Sequence, residues 1–208
     1  MENSNLLLGD SFSKFRERPK WILNLIIWIV VVIGSLWLTF AFSDWTELMK
    51  QTNPNMNQAQ VEQARSFMGP VTVIGGLFSQ LFYLLIAFLI VWAIARIFKS
   101  NVKKKSIFAG TLFALLISSL VALIVLVIQV IVGLDIVKIS ITSLNIFDPG
   151  NKVLSVFNLQ TLLSGYLLSV LLYKTCKLSG KVSIIFGVAL VIISIGFGLL
   201  GASVQEYS

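Results

Sequence analysis

Apolar residues in this chain do not follow a helical or strand period; they come in five nearly unbroken blocks divided by polar segments. The blocks are Trp21–Phe42, Val73–Ala95, Ile107–Ile131, Val153–Tyr173 and Val182–Ala202. Each is close to the ~20 residues that a helix needs to cross a bilayer. None contains Asp, Glu, Lys or Arg, so all 16 + 9 = 25 charges fall in the tails and connections. Hydrocarbon offers no water to a backbone amide, so such blocks must be helical. The pattern predicts an all-α polytopic membrane protein built as a five-helix transmembrane bundle. Residues 1–20 read as a basic amphipathic tail, 21–202 as the membrane domain with an external loop at 43–72, and 203–208 as an external tail.

Composition agrees: 57% of the 208 residues are hydrophobic and 12% charged, where a soluble domain carries about 25% charged residues. The chain has no histidine and a single cysteine, Cys176. That excludes an internal disulfide, His-dependent triads, His-ligated metals and multi-Cys clusters. No catalytic, cofactor-binding or metal residues are expected, and no cofactor. Cys176 reads as a spectator, with palmitoylation near a basic membrane edge as the minor alternative. Gly196-Phe-Gly-Leu-Leu-Gly201 matches a dinucleotide fingerprint by letter, but it ends a membrane block instead of linking a strand to a helix.

Basic residues set the orientation. Alternate segments carry 4 + 5 + 3 = 12 Lys and Arg on one side and 2 + 2 + 0 = 4 on the other. The positive-inside rule puts the N-terminus in the cytoplasm of a multi-pass cell-membrane protein and the C-terminus outside. Ala41-Phe42-Ser43 resembles a cleavage site, but the block before it is longer than a signal core, so it reads as an uncleaved anchor. The net charge of +7 then reports topology and lipid, not nucleic acid. Lys103, Lys104 and Lys105 are candidate contacts for anionic lipid, and Trp21, Trp92, Tyr173 and Trp45 fall where aromatic belts lie.

In the 43–72 loop, Asn53-Pro54 reads as a helix start and Gly69-Pro70 as its stop, with Val61, Ala64 and Met68 on one face. Lys138–Phe147 alternates apolar and polar residues, an extended pattern, before the turn signal Asp148-Pro149-Gly150-Asn151. The fourth block is the least apolar, and its Asn158, Gln160 and Tyr166 are candidate buried polar groups of an interior helix. Small residues recur four apart: Gly110, Ala114, Ser118 and Ala122 in the third block, Ser194, Gly198 and Ala202 in the fifth. Gly75 with Ser79 and Gly165 with Ser169 repeat the spacing. Such stripes are candidate faces for helix packing or for a partner.

Phe12-Ser-Lys-Phe-Arg-Glu-Arg-Pro-Lys-Trp21, the Gln-rich stretch Asn53–Phe67, Phe157-Asn-Leu-Gln-Thr-Leu162 and Leu178-Ser-Gly-Lys181 resemble the corresponding segments of bacterial Yip-domain integral membrane proteins. Where many relatives have a Trp in the fourth span, this chain has Gln160-Thr-Leu-Leu-Ser-Gly-Tyr166. The resemblance implies five passes and a non-enzymatic accessory or assembly factor. Its partners would be the lipid bilayer and other membrane proteins, with ABC-type exporter subunits among them and self-association open. The alternative is a small-molecule permease or channel subunit, suggested by the polar fourth block.

Overall fold

The computed structural model describes residues 6–46, 49 and 55–206. Its principal helices are α1 (Gly9–Glu17), α2 (Ile22–Phe42), α3 (Gln58–Ile97), α4 (Lys104–Val132), α5 (Lys152–Val156), α6 (Leu159–Val170) and α7 (Gly180–Glu206). A 3-10 turn, Leu144–Ile146, precedes α5, and α6 continues into a π-helical segment, Leu171–Thr175. α2, α3, α4 and α7 are each long and apolar enough to span a membrane. The protein is a polytopic helical membrane protein. Large side chains such as Leu23, Phe78 and Phe197 point away from the bundle, as they must where the solvent is lipid.

α4 is the central helix because both apolar clusters use it. On one side Trp28, Val31 and Val32 of α2 and Leu84 of α3 pack on its Leu112 and Leu116. On the other, Leu167, Val170, Leu171 and Leu172 meet its Ile107, together with Val91 and Ile94 of α3. α7 lies along α6, where Gly165 and Gly187 bring the two backbones together. A Cβ added to Gly165 would sit 2.8 Å from the Gly187 carbonyl oxygen.

The fourth expected span is not one helix. The chain breaks at Phe157–Asn158, leaving five-residue α5 on one side and α6 on the other. Asn158 cannot continue the helix, since its side chain accepts the Gln160 amide as an N-cap. The backbone on either side is drawn into the preceding loop: Leu159 N–H donates to the Thr142 carbonyl and Leu144 N–H to that of Phe157. The extended pattern expected at Lys138–Phe147 is corrected likewise. Those residues form turns and the 3-10 helix, with one isolated bridge between Ser143 and Asn158. Asn145 holds them, accepting from Ser140 N–H and Ser143 Oγ and donating to the Lys138 carbonyl. The turn at Asp148–Asn151 is present, with Gly150 at φ +85°.

The expected helix stop at Gly69-Pro70 is also overturned. α3 runs through Pro70 for 40 residues, or about 60 Å, roughly twice the hydrocarbon thickness. Pro70 removes one rung, yet contacts to α2 on both sides hold the segment. Gly69 is a close approach, where a Cβ would lie 2.6 Å from the Phe40 ring. Four residues earlier, Arg65 donates to the Ala41 carbonyl and lies 5.6 Å over the same ring. The start of α3 is a capping box, with Asn57 and Gln60 each accepting from the other's amide. The expected start at Asn53-Pro54 lies outside the described residues.

Candidate functional site

The basic segments meet at one end of the bundle, and the N-terminal helix is built into that end. Phe12 of α1 is fully buried, its ring edge-on to Phe113 at 5.2 Å. Thr175 Oγ1 donates to the Phe12 carbonyl at 2.9 Å, and Ser106 Oγ donates to that of Arg16 at 3.1 Å. Arg16 reaches the Lys174 carbonyl. Ser100 Oγ, in the turn after α3, donates to the Cys176 carbonyl, and Phe98 packs edge-on against Phe186. α1, the 98–105 turn and the 171–180 turn therefore lock together. Cys176 lies within this lock, buried, its thiol pushed up to about 12 by desolvation. It stays protonated and sealed, which corrects the palmitoylation alternative. Lys103, Lys104 and Lys105 are exposed there, with Lys104 lying 4.8 Å over the Trp92 ring.

Away from the basic end α3 and α6 separate, leaving a cleft of about 320 Å³ above α4. Ala114, Ser118 and Ala122 of α4 line it, opposite Gln80, Tyr83 and Ala87 of α3 and Gln160, Ser164 and Leu167 of α6. Gln160 ties the α6 wall to the α4 floor: its Nε2 donates at 2.7 Å to both the carbonyl and the hydroxyl of Ser118. Trp28, also buried in the lining, donates from Nε1 to Ser119 Oγ. A smaller chamber of about 200 Å³ beyond it shares Ala122 and Gln160 and is bounded by Gln129, Ser140 and Thr142. Among the described residues, neither the Gln80 amide nor the Tyr83 hydroxyl has a hydrogen-bond partner.

The sequence-predicted residues divide among different jobs. Gly110 packs on Leu171 and Thr175, while Ala114, Ser118 and Ala122 of the same stripe face the cleft. Gly198 packs on Val156 and Ala202 is buried, but Ser194 is exposed. Gly165 with Ser169 forms the α6–α7 contact through Gly187, whereas Gly75 and Ser79 face outward with nothing near Gly75. The inward glycines of α3 are Gly69 and Gly76. Of the candidate buried polar groups, Gln160 bridges to α4, Asn158 is a half-buried cap, and the Tyr166 hydroxyl donates to the Leu7 carbonyl of the N-terminal segment. Gln80 and Tyr83 escaped sequence reasoning, although two polar residues three apart in an apolar block place both on one helix face.

Comparison with known proteins fits this architecture. The chain is similar to the membrane protein YknW of Bacillus subtilis strain 168, with 28% identity over 202 residues that cover 92% of this chain and 86% of the other. No solved structure matches it significantly. The family model for the Yip1 domain matches residues 8–202, and the chain belongs to that family.

Proposed function

We propose that this protein is a non-enzymatic accessory or assembly factor of the cell membrane, with its N-terminus and basic end in the cytoplasm. It works by lateral contact with other membrane proteins, and exporter subunits are the first candidates. The observation that carries the reading is the division of its small residues. Those at Gly69, Gly76, Gly110, Gly165 and Gly187 are spent inside the bundle, while Gly75, Gly196 and Gly201 have no neighbour within 4 Å. Lipid gives no hydrophobic drive for helix association, so close backbone approach at such open positions is what a neighbouring helix uses. Lys103, Lys104 and Lys105 would hold the basic end against anionic headgroups, at about 1 kcal/mol each.

Affinity purification in mild detergent from cells expressing the protein at native level should recover a membrane-protein partner. Gly75→Leu, which meets no internal atom, should lower that recovery with the fold intact. Recovery of the protein alone, or full recovery with Gly75→Leu, counts against the proposal. The cleft supports a second reading, a permease or channel subunit. Solute flux into proteoliposomes decides it, and the absence of flux for every solute tried removes it.

A further inference from the structure

We infer that the chamber of about 200 Å³ beyond Gln160 is a water-filled vestibule, entered from the face opposite the basic end and ending at the middle of the membrane. Its depth follows from α4. Ser118 stands 11 residues after Ile107 and 11 before Gln129, about 16 Å from each, so in a ~30 Å hydrocarbon layer it lies at the middle. Gln160 bonds to Ser118 and shares that level. From there Ala122, Leu126 and Gln129, at spacings of four and three on one helix face, carry one wall of the chamber to the outer boundary. Ile136, Ser140 and Thr142 form the wall opposite. Across the 135–138 turn lies a basin of about 430 Å³ lined by Asp44, Asp135, Lys138 and Lys152, whose charges mark the aqueous side.

Three observations select water. First, polar atoms of the lining lack protein partners. Gln129 is only 4% exposed, and its Nε2 donates to the Ile139 carbonyl, but among the described residues nothing donates to its own side-chain carbonyl. The side-chain carbonyl of Gln160 and the side-chain nitrogen of Asn158 are left in the same way. An acyl chain satisfies none of the three, whereas water serves acceptor and donor alike. Second, the backbone between α4 and α6 is irregular where it enters the membrane. Leu159, next to Gln160, donates its amide to the Thr142 carbonyl, and Ser143 pairs with Asn158, so these turns descend well inside the outer boundary. Irregular backbone persists at that depth only within protein or against water, and Ile139, Ser140 and Thr142 are no more than half-buried. Third, no charged residue lines the chamber, so nothing there selects an ion, and at ~30 Å³ per molecule it has room for several waters. Gln160, held on Ser118 through Nε2, closes the vestibule where the cleft begins.

The test uses the full-length protein with Cys176→Ser, in lipid nanodiscs, and a charged methanethiosulfonate that does not enter hydrocarbon. Leu126→Cys and Thr142→Cys should react at pH 8 about tenfold or more faster than Ile124→Cys, because a thiolate forms only where water reaches it. Ile124 lies within one turn of Leu126 but faces lipid. Where a variant does not fold, radiolytic footprinting of the parent protein gives the same answer. Hydroxyl radicals formed from water in the chamber should oxidise Leu126 and Ile139 and spare the outward Ile124 and Ile128. Equal rates at Leu126→Cys and Ile124→Cys, reaction of Thr142→Cys with lipid-soluble N-ethylmaleimide alone, or equal oxidation of Ile124 and Leu126 each overturns the inference. Partner recovery enters none of these readouts, so the vestibule and the lateral-contact reading fail separately.

Discussion

Gly165 and Gly187 face each other across α6 and α7 with so little space that one methyl group is a collision. A Cβ on Gly187 would fall on the Ser169 hydroxyl and within 2.5 Å of the Gly165 carbonyl oxygen. Backbone cannot yield as a flexible side chain can, so Gly187→Ala should destabilise by about 1–3 kcal/mol. Gly75→Ala, in open space, should stay within about 0.5 kcal/mol of the parent. Reversible unfolding in mixed detergent–SDS micelles measures both, and equal effects would refute the packing account. Cys176 gives a second residue-level prediction. Its thiol ordinarily titrates at 9.0 and is pushed to about 12 by burial. Below pH 9 it is neutral whether the chain is folded or not, and its contribution is fully present. As pH rises from 9 towards 12, unfolded chains release the proton first, so that contribution is progressively lost. Maleimide labelling at pH 8 should be slow in the folded protein and fast once it is denatured.

At the scale of elements, α6 depends on its first turn. Asn158→Ala removes the cap on the Gln160 amide and should cost about 1 kcal/mol, seen as a lower SDS midpoint. Gln160 and Ser118 join α6 to α4, and a double-mutant cycle of Gln160→Leu with Ser118→Ala should give a coupling of about 0.6 kcal/mol, with ~1.7 as a ceiling. Zero coupling would mean that the two hydrogen bonds at 2.7 Å are replaced by others in the membrane. The long helices were legible because unbroken hydropathy is itself the physical requirement for crossing lipid. The break at Phe157–Asn158 was not, since Val153–Phe157 is apolar enough to pass for the start of a span. Its reason lies in a loop ten or more residues away. Gly69-Pro70 misled for a related reason: the residues that usually punctuate a helix here serve a close contact with Phe40. Gln160 was legible as a polar group needing a partner, but the partner itself was not, because spacing along one helix says nothing of the next. The cleft needed the relative placement of α3, α4 and α6, which no single block contains.

For the molecule as a whole, α1 is the clasp. It is nine residues long, too short to be stable alone in water, so its helicity comes from docking. Phe12→Ala should cost about 3 kcal/mol, and Thr175→Val should remove one buried hydrogen bond worth about 1 kcal/mol. Either change should speed trypsin cleavage after Lys14 and Arg16 in intact vesicles whose basic face is accessible, while the spanning helices stay protected. Trypsin resistance equal to that of the parent would show that α1 is held by the membrane surface instead. The basic, amphipathic character of residues 1–20 was readable from the sequence. Their seat was not, because it is assembled from Ser106, Phe113 and Thr175, far apart along the chain.

That seat also fixes an order of events during biosynthesis. Phe12 and Thr175 are 163 positions apart, so the first helix made must wait for almost the last one. At about 5–20 residues per second of translation, the interval is roughly 8 to 33 seconds. Until it ends, α1 has only the α4 half of its seat, at Ser106 and Phe113, and a nascent chain stalled before residue 175 would leave the other side of Phe12 open to whatever quality-control machinery patrols the membrane.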